Sequence, residues 1–188
     1  MQINKMSVLS LIRKELYRYT GGGGFLKSYF LIPGFKYTFF FRLVQSAGRK
    51  KYLFPFALLL KIKLILMQRH YGIQIPWNTK IGKGFYIGHY GTIVVNGSVV
   101  IGDNVNISQG VTLGQANRGK HKGCPIIGNG VYIGPGAKIV GKVIIGNNVA
   151  IGANAVVTID IPDNACVGGV PAKILSMNGA EGYVNNKV

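Results

Sequence analysis

Aliphatic residues recur at every sixth position from Ile75 to Val157, and this interval constrains the chain more than any other feature. Ile75, Ile81, Ile87 and Ile93 keep it, as do Ile101, Ile107 and Leu113, and then Ile127, Ile133, Ile139, Ile145, Ile151 and Val157. Glycine follows many of these directly. A second small or branched residue recurs four places on, at Thr79, Val105, Val111, Val131, Ala137, Val143, Val149 and Ala155. A period of six suits neither an amphipathic helix nor an alternating hairpin sheet. It suits a β-helix, in which each hexad is one short strand and one bend. The aliphatic side chain then points into a narrow interior, and successive coils pair strand on strand over one continuous column.

The interval fails twice. Ile93 to Ile101 is eight steps, and Leu113 to Ile127 is fourteen. The second break expels residues 114–125 as a loop, and loops thrown out of a solenoid leave on one side and often carry binding function.

Charge divides the chain. Residues 1–73 hold 13 Lys/Arg against Glu15 alone, a balance of +12. Residues 74–188 hold 9 Lys/Arg against Asp103, Asp160, Asp163 and Glu181, a balance of +5. An anionic partner for the first part is the direct reading of that asymmetry. Within it, Ser7–Tyr19 has helical spacing of Val8, Leu11, Ile12, Leu16 and Tyr19, with Ser7 as N-cap and Arg13, Lys14 and Arg18 largely on the other face. Gly21–Gly24 forms a joint and lacks the Lys-Ser/Thr of a phosphate loop. Phe25–Val44 is aromatic and basic together and is divided by Pro33-Gly34; Arg49-Lys50-Lys51 follows. The apolar run Leu53–Met67 holds Lys61 and Lys63 and is shorter than the roughly 20 residues a spanning helix needs.

Two readings of this segment stand together. Its helices pack on the β-helix with lysines reaching to water, or its apolar faces, Phe39-Phe40-Phe41 among them, lie on anionic lipid of the cytoplasmic leaflet. No nucleic-acid module is present. Cys124 and Cys166 lack metal or redox spacing, which suits a reducing compartment, and Met1–Ser7 does not open a cleavable signal peptide. The expected division is therefore a basic helical region over 1–73, a β-helix over 74–175 and a polar tail over 176–188 that frays. The expected location is cytoplasmic, or peripheral on the inner face of the membrane.

The hexads, His89-Tyr90-Gly91-Thr92-Ile93-Val94-Val95, Ser108-Gln109-Gly110-Val111-Thr112-Leu113-Gly114 and Gly168-Gly169-Val170-Pro171-Ala172-Lys173 together resemble the serine O-acetyltransferase branch of the hexapeptide-repeat acyltransferases, over about Ile75 to Ile174. The resemblance implies a left-handed parallel β-helix, a homotrimer, and acetyl-CoA in a groove between neighbouring prisms. It also implies that the histidine matching His89 is the catalytic base. Pantetheine amides would meet backbone at Gly134-Pro135 and Gly152-Ala153, Gly114 would join the cofactor site, and Lys173 would sit near the CoA phosphates. Residue chemistry agrees on the base: acetyl transfer to a hydroxyl requires removal of its proton, and histidine, with a reference pKa of about 6.5, suits that task. His89 lies two residues after Ile87, so its side chain points out of the coil. His121, in the expelled loop, is a second catalytic candidate, although a gapless comparison sets the family's second active-site histidine on Cys124. His70 reads as structural. No metal is implied, since a three-histidine zinc site needs more than His70, His89 and His121 at these spacings.

Two departures redirect the acceptor. Gln74 and Gly88 stand where that branch carries acids, and the N-terminal region is short and basic instead of large and acidic. The expectation is therefore an acetyl-CoA-dependent O-acetyltransferase acting on a saccharide hydroxyl of surface polysaccharide, with an acceptor that can be lipid-linked. Serine acetylation and a non-catalytic solenoid binding polysaccharide or protein are its alternatives.

Overall fold

The computed structural model describes residues 6–48 and 54–188. Four helices precede the solenoid. α1 (Val8–Thr20) starts where the Ser7 hydroxyl accepts from the Ser10 N–H, and it ends at Gly21, whose left-handed conformation lets its N–H reach the Tyr17 carbonyl. α2 (Phe25–Leu31) stops before Pro33, which opens α3 (Pro33–Ala47) in the first helical turn, where its missing N–H costs nothing. α4 spans Phe54–Tyr71. The Arg49-Lys50-Lys51 cluster and Leu53 lie outside the described residues. No helix among the described residues is long and apolar enough to cross a membrane.

The first coil is β1 (Ile73–Gln74), β2 (Lys80–Ile81) and β3 (Tyr86–Ile87). The second is β4 (Ile93–Val95), β5 (Val100–Ile101) and β6 (Asn106–Ile107), and the third is β7 (Thr112–Gly114), β8 (Ile126–Ile127) and β9 (Tyr132–Ile133). β10 (Lys138–Val140), β11 (Ile144–Ile145) and β12 (Ala150–Ile151) form the fourth, and β13 (Val156–Val157) and β14 (Cys166–Gly168) close the spiral. Coils stack into three parallel sheets: β1-β4-β7-β10-β13, β2-β5-β8-β11 and β3-β6-β9-β12-β14. β15 (Lys173–Ser176) folds back antiparallel on β14 and ends the third sheet as a cap. All thirteen aliphatic positions of the repeat are buried, as are the small residues four places on. The mainly β, parallel solenoid with a helical N-terminal region follows the expectation.

The first break in the repeat lies elsewhere than the hexad count suggested. Val95, not Ile93, stacks on Leu113, while Ile93 stacks on Ile73. Ile87 stacks on Ile107, so the path from third to first sheet takes eight residues from Ile87 to Val95 and six from Ile107 to Leu113. The two extra residues are therefore in the turn that follows Ile87. Ile93 and Val95 are both apolar and two apart, and composition alone could not choose between them.

The helices pack on the solenoid, and several side chains expected outside are inside. Phe35, Tyr37 and Phe41 are buried, Phe39 packs edge to face with Phe25, Tyr29 and Phe40, and Phe40 lies tilted against Tyr29, so this aromatic run is not an outward face. Arg18 is also buried: it donates to the Gly84 carbonyl and to Asn106 and lies over the Tyr86 ring. Arg42 and Glu15 form a fully buried pair, and Arg42 also donates to the carbonyls of Ile81 and Gly82. Burial pushes the Glu15 carboxyl up, with the Arg42 guanidinium pulling against it. One interhelical pair thus clamps α1 and α3 to the turn after β2.

The tail does not fray. Ala180 and Val184 are buried against Ala150, the Tyr183 ring stacks on Tyr132 at 4.6 Å, and Asn104 exchanges hydrogen bonds of 2.9 and 2.8 Å with the Val188 backbone. With α1, the tail covers the outer face of the third sheet.

Candidate active site

The triangular coil has three corners, and they differ chemically. The corner between second and third sheets is closed by a ladder of short side chains. Asp103 accepts from the Lys83 N–H at 3.0 Å, Asn129 from Asp103 at 2.8 Å, Asn147 from Asn129 at 2.9 Å and Asp163 from Asn147 at 2.6 Å. The corner between first and second sheets throws out the 114–125 loop, which is pinned by an antiparallel bridge between Ala116 and Gly123 and by the Lys142 N–H donating to the His121 carbonyl.

The corner between third and first sheets carries the candidate base. His89 is exposed there, in the lengthened turn after Ile87. The extra length is accommodated by positive φ at Gly91 (113°) and Thr92 (50°). Beneath it the backbone continues from coil to coil: Gly110 N–H donates to Gly91, Gly136 to Gln109, Asn154 to Pro135 and Val156 to Gly169. Gly134, Pro135, Gly152 and Ala153 therefore share one edge with His89, and the cap with Lys173 lies at its far end. Gly114 and His121 do not join them; in the same chain they occupy the neighbouring corner. Cys124 lies in that loop, where burial pushes its thiol up.

The His89 turn is held from the helical side. Tyr19 Oη accepts the Ile87 N–H at 2.7 Å, and burial keeps that phenol well above its ordinary range, so it remains neutral. A Cβ at Gly34 would collide with the Ile87 carbonyl oxygen, so α3 can approach β3 only with glycine at that position. Tyr71, at the end of α4, packs edge on against Tyr90 at 5.3 Å, and His70 packs on Tyr71. None of these supports has a repeat to announce it. Lys138 was missed as well: its ammonium donates to the Gly110 carbonyl and to the Thr112 hydroxyl, fixing the coil under His89. Its only signal in the sequence is its place directly before Ile139. The side-chain oxygen of Gln109, on the same edge, is buried without a partner among the described residues.

Among the described residues no Asp or Glu side chain reaches this edge. Asp103 and Asp163 are in the ladder, Asp160 caps the Ile144 N–H, Glu15 pairs with Arg42 and Glu181 is in the tail. Among the described residues no three His, Cys, Asp or Glu side chains gather to hold a metal ion. The arrangement is an exposed imidazole at the head of an edge lined by backbone.

The bacterial transferase hexapeptide family (six repeats) matches residues 124–158. The serine acetyltransferase of Helicobacter pylori strain J99 is 36% identical over 146 residues, which is 78% of this chain and 83% of that protein. The serine acetyltransferase of Staphylococcus aureus strain Mu50 is 44% identical over 108 residues, 57% of this chain and 51% of that one. Among solved structures, the Brucella abortus serine acetyltransferase in complex with coenzyme A superposes with a TM-score of 0.74 at 31% identity, covering 92% of this chain and 68% of its own. The Neisseria gonorrhoeae enzyme in complex with serine gives 0.73 at 29% identity, covering 90% and 69%.

Proposed function

We propose a function from one premise: the chain belongs to the serine acetyltransferase family of hexapeptide-repeat proteins. The saccharide acceptor expected from the sequence is withdrawn. It rested on Gln74, Gly88 and the basic N-terminal region, and relatives that align across both the helices and the solenoid are serine acetyltransferases. A non-catalytic solenoid is withdrawn with it, because the chain is an acyltransferase of that family.

The reaction is transfer of acetyl from acetyl-CoA to the hydroxyl of L-serine. His89 takes the hydroxyl proton as the oxygen attacks the thioester carbonyl. The tetrahedral intermediate collapses with cleavage of the carbon–sulfur bond, and the CoA thiolate leaves with the proton returned by His89. The coenzyme lies along the His89 edge, with pantetheine amides against the backbone of Gly134-Pro135 and Gly152-Ala153 and the phosphates toward Lys173. The coils wind left-handed and the protein is a homotrimer. A neighbour's loop corner then faces the His89 edge, which gives Gly114 and His121 access to a site they do not reach within their own chain. With no acid of the same chain at the edge, the serine ammonium would be met by backbone carbonyls and by the neutral Gln109 amide.

The exposed position of His89 at the head of this edge carries the reading. Its test is release of CoA thiol from acetyl-CoA on addition of L-serine, with O-acetylserine identified by mass spectrometry. His89→Ala should lower kcat by about 10²–10⁴-fold with CoA binding retained. No serine-dependent release by the wild type, or near-normal turnover by the variant, would overturn it.

A further inference from the structure

A helix that is apolar all round needs a cover on every side, and α4 has one on a single side. Ala57, Leu60, Leu64 and Met67 pack into the core. Phe56, Leu58, Leu59, Ile62, Ile65 and Leu66 are exposed, Leu59 to 66% and Leu66 to 54%. Two pockets flank this ridge, one of them lined by two lysines. On one side, a cavity of about 320 Å³ between α3 and α4 is lined by Lys36, Lys63, Leu66, Met67, His70 and Tyr71. On the other, a cleft of about 390 Å³ takes Ile65, Gln68 and Arg69 from α4 and its floor from β1 and β4. Leu59, Ile62, Lys63, Leu66 and His70 fall at the three- and four-residue spacing of one helical stripe, so apolar and basic groups share a face. The one acid of residues 1–73, Glu15, is buried against Arg42 and takes no part in it.

We propose that this ridge, with the Lys36–Lys63 pocket beside it, docks the protein on the surface of an anionic phospholipid bilayer. The site lies apart from the acetyl-transfer edge and does not depend on the identity of the acceptor. A bilayer surface supplies both chemistries at once: an acyl boundary for the aliphatic ridge and headgroup phosphates for the lysines. A second copy docked ridge to ridge supplies only the first, and sets Lys63 and Arg69 near their own counterparts without an acid between them. The helix lies on the bilayer and does not enter it, because its opposite face is committed to the solenoid. Tyr71 at its end touches Tyr90, so the His89 turn sits at one end of the docked helix.

Flotation of the full chain with vesicles tests this. Wild type should float with phosphatidylcholine vesicles containing phosphatidylglycerol and far less with phosphatidylcholine alone. Lys36→Gln/Lys63→Gln should weaken binding about 30-fold, and Leu59→Gln/Leu66→Gln should abolish flotation, both with far-UV circular dichroism unchanged. Equal flotation on neutral vesicles, or none on anionic ones, overturns the proposal. Inorganic phosphate at matched ionic strength should not compete. Full competition by it, with the leucine variant binding normally, would identify a free phosphate site instead. Loss of a larger assembly in the leucine variant, with no vesicle binding by wild type, would make the ridge an interface between copies and likewise overturn the proposal.

Discussion

The solenoid and the helical layer bury comparable kinds of side chain by opposite logics. In the solenoid each buried aliphatic residue meets the same neighbours above and below, so its environment recurs and no single position is special. In the layer nothing recurs. Arg42 has its own carboxylate and its own two carbonyls, Gly34 its own strand, Tyr19 its own amide. Stability should therefore be distributed in the first region and concentrated at a few residues in the second.

The largest effect that would expose this contrast is Arg42→Leu. It strands the Glu15 carboxylate in a fully buried setting, and removing one partner of such a pair costs about 3–5 kcal/mol. Urea denaturation of the single variant and of Arg42→Leu/Glu15→Leu should show the double variant recovering much of the loss. If Arg42→Leu unfolds at the wild-type midpoint, the clamp is not where the layer's stability resides. Ile101→Ala, Ile133→Ala and Ile145→Ala come next. Each should cost about 2–5 kcal/mol by the same denaturation, and the three should agree closely because their surroundings repeat. A wide spread among them would break the picture of equivalent coils.

Legibility follows the same division. Most column residues could be read from their interval, but Val95 could not, because the count gave its place to Ile93; the outward position of His89 followed from its offset from Ile87. What stayed hidden were pairs without a period: Arg42 lies 27 residues from Glu15, and Arg18 lies 66 from Gly84. Two charged residues, Glu15 and Arg18, are buried on a helix whose pattern marked basic residues as solvent-facing, since a hydrophobic pattern does not register a charge that is satisfied inside. At the site, the pairing register was needed to show that Gly134 and Gly152 share the His89 edge while Gly114 and His121 do not.

Gly34→Ala tests the seam between the two regions with a smaller effect. Its methyl group would press on the Ile87 carbonyl, and overpacking of this kind costs about 1–3 kcal/mol. Because Ile87 leads into the His89 turn, kcat should fall further than the change in midpoint explains; an unchanged kcat would show that the turn tolerates movement of α3. The smallest effect is expected at Ser7→Ala, where loss of one N-cap costs about 1 kcal/mol. Thermal melting should show that loss while acetyl transfer remains at the wild-type level, because the cap is at the far end of α1 from Tyr19.

The two residues added between Ile87 and Val95 have a consequence for how such a chain acquires chemistry at all. A faultless spiral offers the same edge at every level, and a ligand sliding along it would meet no landmark. A local misprint in the count gives one level an identity: it sets an exposed imidazole in a turn two residues longer than its counterpart one coil on. Excising Tyr90 and Gly91 would restore the regular count, and the result should be a sound scaffold with its address erased.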